Sequence, residues 1–102
     1  MRIPNKLKVG NFIYDVEVTN EPILYEGMLC NGICDSENQL IQLSSDLSEQ
    51  NKERVFLHEL LHSIQFDRSI DLGEECEYII DEFTKGLHAV INDNMGIFSN
   101  IK

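Results

Sequence analysis

This sequence has few basic residues and no long apolar run. Its 102 residues include 8 Lys and Arg against 18 Asp and Glu, which gives a formal net charge of -10. Because Lys and Arg drive binding to phosphates, this charge disfavours a protein that binds DNA or RNA. No apolar run approaches the roughly 18 residues that a membrane helix needs, so we expect no membrane partner.

Cysteines are also scarce, and the first residues lack the apolar segment of a secretion signal. The three cysteines, Cys30, Cys34 and Cys76, are an odd number, which favours reduced thiols over a disulfide framework. The start of the chain, MRIPNKLKVGN, has no apolar core. We therefore expect a soluble cytoplasmic protein. With no repeat or linker in the sequence, residues 1–102 are expected to form a single domain.

The first half of the sequence shows the alternation typical of β-strands. Apolar residues before and after the pair Gly10-Asn11 alternate with polar ones, which predicts a β-hairpin. Two further extended runs, near 28–35 and 39–44, are separated by a polar turn. We predict a small antiparallel sheet in this half of the chain.

The second half shows helical periodicity. A polar segment offers Ser48 or Asp46 as the N-cap of a helix near 49–66. Asp71 and Glu74 are spaced like a capping box and precede a second helix near 74–93. The predicted fold class is therefore α+β, with a small sheet packed against two helices.

The first predicted helix contains the stretch FLHELLHSIQF, which includes the pattern HExxH. His58 and His62 lie about 40° apart on a helical wheel, so both imidazoles project from one face and can bind a single ion. Zinc accepts imidazole nitrogen, and Glu59 beside this face is placed to take a proton from water. Apolar residues flank the histidines on both sides, which indicates a helix that is buried on both sides.

A catalytic zinc site usually has three protein ligands, so a third ligand must come from another segment. The second predicted helix carries a polar stripe of Glu77, Asp81, Thr84 and His88. Glu77 could bind the ion, and Asp81 could accept the other ring N–H of a ligating histidine. Asp81, Glu82 and His88 are the alternative third ligands.

Other residues of this helix have a second interpretation. His88 could instead donate a hydrogen bond to an oxyanion as a catalytic residue, and Tyr78 could do the same. Glu75 and Glu82 lie on the other flank and are expected to be solvated acids. Cys30 and Cys34 could join the two histidines in a structural zinc site, although free cysteines are commonly buried apolar residues.

The motif HExxH followed by ExxxD, here HELLH and EYIID, resembles the gluzincin arrangement. The order of sheet, HExxH helix, short break and acidic helix also resembles the ImmA/IrrE-type metallopeptidases and the small phage and prophage proteins related to them. The resemblance implies a minimal zincin-like domain that hydrolyses peptide bonds of an intracellular protein substrate. It implies His58, His62 and Glu77 as zinc ligands, Glu59 as general base and Asp81 as the orienting residue. It also implies that a strand of the sheet aligns the peptide.

An alternative function belongs to a different class. The domain could bind zinc for stability only, or be a degenerate peptidase of phage or prophage origin, and act as an acidic protein-binding module. The charge of -10 suits a basic partner surface. A metal-free structural domain is a third reading of the same sequence.

Overall fold

The computed structural model describes residues 1–96 and shows an α+β fold, as predicted. In this part of the chain the elements are β1 (Lys6–Val9), β2 (Phe12–Thr19), β3 (Ile23–Tyr25), β4 (Met28–Cys30), β5 (Gly32–Asp35), β6 (Leu40–Ser44), α1 (Glu49–Arg68) and α2 (Cys76–Asp93). A short 3₁₀ turn over Gly73–Glu75 leads into α2. Both predicted helices are confirmed, with ends within two residues of those expected.

The four-stranded sheet has the order β1-β2-β6-β5 and differs from the prediction in one pairing. The predicted hairpin is formed by β1 and β2, which are antiparallel, and β5 and β6 are antiparallel as well. Strands β2 and β6 are parallel, from Asp15 opposite Leu40 to Thr19 opposite Ser44. The prediction of an all-antiparallel sheet was therefore wrong. The segment between these strands is long enough to return the chain to the same end of the sheet, as a parallel pair requires.

The run predicted near 28–35 is divided between two sheets. Strands β3 and β4 pair in a separate antiparallel hairpin, and the chain enters the larger sheet only at β5. The two loop residues of this hairpin, Glu26 and Gly27, have φ of 52° and 79°. Positive φ at both positions is typical of the type I′ turn, whose twist matches that of the flanking strands.

Helix α1 lies between the sheet and α2, which explains why it is apolar on both sides. Strand β6 alternates so that Ile41 and Leu43 are fully buried, and they pack with Phe56 and Leu57 of α1. The other side of α1 packs against α2. Among the described residues, no helix combines the length and the hydropathy needed to cross a membrane.

The N-cap of α1 is Ser48, one of the two predicted candidates. Its Oγ accepts a hydrogen bond of 3.2 Å from the backbone N–H of Asn51. The capping box predicted before α2 is not formed, because the chain enters that helix through the 3₁₀ turn and no side chain caps it. Asp71 accepts instead from the backbone N–H of Gly73, at 2.9 Å.

Candidate metal centre

The two histidines of the HExxH stretch converge on one carboxylate of α2. His58 and His62 are one turn apart on α1, and their ring centroids are 4.9 Å apart. The Nε2 atom of His58 lies 3.1 Å from Oε2 of Glu77, and that of His62 lies 2.8 Å from Oε1. The packing of α2 on α1 therefore brings together the three residues that were predicted as ligands.

This group could hold a metal ion. One ligand atom from each of the three residues lies within 4.8 Å of the others. Bonds of about 2.0–2.1 Å in a tetrahedral zinc site separate the ligand atoms by about 3.3 Å. The two separations between a histidine nitrogen and Glu77, 3.1 and 2.8 Å, are a few tenths of an ångström shorter, but they involve different carboxylate oxygens. With one ligand atom from each residue, the three atoms lie within 4.8 Å of one another, so side-chain rotation would have to bring them to about 3.3 Å to bind an ion. Two imidazoles and one carboxylate are also a donor set that zinc accepts.

The second nitrogen of His62 is held by a residue that sequence reasoning missed. Nδ1 of His62 lies 3.0 Å from Oε1 of Gln65, and Nε2 of Gln65 donates to the backbone oxygen of Ile70 at 3.2 Å. A proton on Nδ1 donates to Gln65 and leaves a lone pair on Nε2 for an ion. The position of Gln65, one helical turn after His62, is the only sequence signal that could have suggested it.

Asp81 lies on the predicted side of His58 but does not reach hydrogen-bond distance. Its Oδ1 atom is 3.8 Å from Nδ1 of His58, while Oδ2 pairs with Nζ of Lys85 at 3.2 Å. Lys85 also pairs with Glu82, at 3.1 Å. Asp81 is therefore a neighbour of the metal-binding group, and Glu82 is directed to a lysine instead.

Glu59 is buried beside this group. Its side chain lies in the cleft together with both histidines. Burial raises the pKa of Glu59 from 4.5 to about 7; the nearby His62 opposes this shift and the negative charge of Glu77 adds to it. A positive ion bound to the histidines would favour the ionised carboxylate and move this pKa down again.

The group of His58, His62 and Glu77 lies in a cleft of about 600 Å³. This volume is in the range of ordinary ligand sites in proteins. The cleft is lined by four elements, α1, α2, the edge strand β5 and the hairpin β3–β4. The residues that line it from these four elements include Val55, His58, Glu59, His62 and Phe66 of α1, Glu77, Asp81, Thr84 and Lys85 of α2, Gly32, Ile33 and Cys34 of β5, and Tyr25 and Cys30 of the hairpin.

The predicted oxyanion donors are not brought to this cleft. His88 is buried elsewhere between the helices, where its Nε2 atom lies 2.9 Å from Oε1 of Glu53 and 3.3 Å from Nδ2 of Asn92. Neither His88 nor Tyr78 is among the residues that line the cleft. The position of His88 therefore gives no support to a catalytic role, and Glu53 accounts for its burial.

The cysteines do not complete a zinc site with the histidines. Cys30 and Cys34 both line the cleft, but they belong to different sheets. Burial, with the charges of Glu59 and Asp35, raises the pKa of Cys34 to about 12, so in the absence of an ion its thiol is protonated at neutral pH. Within residues 1–96 the group that could hold a metal contains no cysteine.

In comparisons with known proteins, no family model matches the sequence, and neither a curated protein nor a solved structure matches it significantly. The similarity to gluzincins therefore stays a resemblance of motif and layout. Function must be inferred from the chemistry of the cleft itself.

Proposed function

We propose that this protein is a zinc-dependent metallopeptidase that hydrolyses peptide bonds in a protein substrate. One observation carries the proposal: His58, His62 and Glu77 meet in a cleft that also holds the carboxylate of Glu59. Two imidazoles and a carboxylate leave one position of a tetrahedral ion open, which is the property of a catalytic zinc site as opposed to a structural one.

Each residue of the group has a defined task in this reaction. When bound, zinc polarises the scissile carbonyl and lowers the pKa of water to about 7. His58, His62 and Glu77 would hold the ion, and Gln65 would orient the ring of His62. Glu59 takes a proton from the attacking water and delivers it to the amine of the leaving peptide.

The edge of the sheet supports a peptide as the substrate. Strand β5 is the last strand of the four-stranded sheet, and residues 32–34 line the cleft. An extended peptide can add to such an edge through main-chain hydrogen bonds, which bind it independently of its side chains. The scissile bond would then be held along α1, next to the two histidines.

Metal content tests the ligand set. The purified protein, dialysed against trace zinc, is expected to retain about one zinc ion per chain. Glu77→Ala should weaken or abolish this binding, whereas Glu75→Ala, which removes an exposed acid outside the cleft, should leave it unchanged. An unmodified protein that retains no zinc would end the enzyme hypothesis. Zinc binding that is unaffected by Glu77→Ala would move the third ligand elsewhere.

Glu59→Gln tests catalysis separately from metal binding. We expect this variant to retain zinc and to hydrolyse a pool of fluorogenic peptides about 10²–10⁴-fold more slowly, because a general base contributes this much. If the zinc-loaded unmodified protein cleaves neither this pool nor β-casein, the non-catalytic acidic module becomes the better hypothesis. The charge of -10 is the observation that favours that alternative.

A further inference from the structure

The hairpin β3–β4 exposes four large apolar side chains next to the cleft. Leu24, Tyr25, Met28 and Leu29 are exposed by 60%, 59%, 71% and 75%. Ile23 is buried and anchors the start of the hairpin. The type I′ loop fixes the pairing of the strands, so this exposure belongs to an ordered hairpin. Large apolar side chains that are this exposed beside a cleft indicate a surface that binds a ligand or partner.

The four side chains are divided between the two faces of the hairpin. Tyr25 pairs with Met28 and Ile23 pairs with Cys30, and these two pairs share one face because side chains alternate along a strand. Tyr25 and Cys30 line the cleft, so this is the inner face. The remaining pair, Leu24 and Leu29, lies on the outer face.

On the basis of the proposed peptidase function, we propose that Tyr25, which lines the cleft, and Met28, its cross-strand neighbour on the same face just outside that lining, form an apolar wall at the rim of the substrate cleft. This wall selects peptides that carry a large apolar side chain beside the scissile bond. It is continuous with the metal centre, since Tyr25 lines the same cleft as His58 and Glu59. Ile33 and Val55 add apolar surface within that cleft. A side chain placed between the hairpin and α1 would cover apolar surface that is now exposed to water.

The charge of the chain adds a second preference to the same substrate. Glu21 and Glu26 are exposed beside the apolar residues of the hairpin, and the whole chain carries a net charge of -10. Lysine or arginine flanking the apolar residue of the substrate would be attracted to this surface. The preferred substrate is therefore an extended segment with an apolar residue at its centre, whose basic residues lie toward Glu21 and Glu26 and away from Arg54 and Lys85, which line the cleft.

The outer face of the hairpin provides a matched control for the test. The double variant Tyr25→Ser/Met28→Ser changes the inner pair, and Leu24→Ser/Leu29→Ser removes a similarly exposed pair from the outer face. Both are made in the zinc-loaded Glu59→Gln protein, so that bound peptides are not cleaved. Two fluorescein-labelled decapeptides of alanine and lysine serve as probes, one with a central leucine and one with a central serine. Fluorescence anisotropy measures their Kd values.

We expect the leucine peptide to bind the Glu59→Gln protein about tenfold more tightly than the serine peptide, because one apolar side chain is buried. Tyr25→Ser/Met28→Ser should reduce this ratio of the two Kd values to about twofold or less. Leu24→Ser/Leu29→Ser should retain the tenfold ratio. Equal ratios for the two variants, or no preference in the parent, would overturn the proposal. Circular dichroism of both variants shows whether either has lost its fold.

Cleavage of the peptide pool by the corresponding variants with Glu59 intact separates this inference from the proposed function. If the protein cleaves the pool without preference for apolar residues, the peptidase function is supported and the proposal of an apolar wall is refuted. If the protein binds the leucine peptide through Tyr25 and Met28 but cleaves no peptide, the proposal of an apolar wall is supported and the peptidase function is refuted.

Discussion

Gly32 of the edge strand β5 lies directly against α1. A Cβ atom built on Gly32 would overlap the side chain of Val55 and would lie 3.1 Å from the backbone oxygen of Gln42. It would also lie 3.5 Å from Oε2 of Glu59. A glycine in a strand often marks such a close approach. Here it lets α1 place Glu59 against the strand that lines the cleft.

Gly32→Ala is expected to destabilise the protein by about 1–3 kcal/mol, because the added methyl group forces β5 and α1 apart. The free energy of unfolding, measured with urea, tests this. In Gly32→Ala/Val55→Ala the contact partner is removed, so the loss should be smaller than the sum of the two single changes by about 1 kcal/mol. If the losses in free energy of unfolding are strictly additive, the overlap with Val55 does not determine the destabilisation caused by Gly32→Ala.

At the scale of the element, α1 joins the sheet to α2 and carries four of the residues with a proposed role, His58, Glu59, His62 and Gln65. It is buried on both sides, so its position depends on packing against both layers. Its start is set by a local signal, the hydrogen bond that Ser48 accepts from Asn51. A side-chain cap of this kind satisfies one backbone N–H that has no partner within the helix.

Ser48→Ala should lower the free energy of unfolding by about 1 kcal/mol, since the cap is lost. Asp46→Ala is the control, because Asp46 was an equally good N-cap candidate in the sequence but does not cap α1 in the structure. Its effect should stay within about 0.5 kcal/mol. Urea denaturation of both variants tests the assignment, and a larger loss for Asp46→Ala would contradict it.

At the scale of the whole molecule, the group of His58, His62 and Glu77, which could hold a metal ion, links α1 to α2. His58 and His62 come from one helix and Glu77 from the other, so a bound ion adds a connection between two elements that are already joined by packing and by the contact of His88 with Glu53. A ligand that binds only the folded chain stabilises it by mass action. Zinc should therefore stabilise the whole fold, whether or not the protein is a peptidase.

Zinc at about 100 times its Kd should add about 2.7 kcal/mol to the free energy of unfolding. For a domain of this size the Tm should rise by roughly 10–20 °C, and EDTA should reverse the change. Differential scanning calorimetry measures the shift. His58→Ala provides the control and should show little or no response to zinc. A Tm that does not change with zinc in the unmodified protein would contradict binding to the folded state.

The sequence by itself determined the features that depend on local periodicity. The spacing of neighbouring residues predicts both helices and the first hairpin. It also places the two histidines on one face of α1. The polar stripe of α2 also contained Glu77. These predictions succeeded because a helix or a hairpin brings together residues that are close in the chain.

Only the tertiary structure decided which distant residues meet. Three features depend on contacts between different segments of the chain: the parallel pairing of β2 with β6, the separate hairpin β3–β4 and the convergence of Glu77 on both histidines. On the wheel of α2, His88 shared a stripe with Glu77, yet it packs against Glu53. A stripe along a helix extends past any single site, and the packing of α2 on α1 determines which of its residues reaches the cleft.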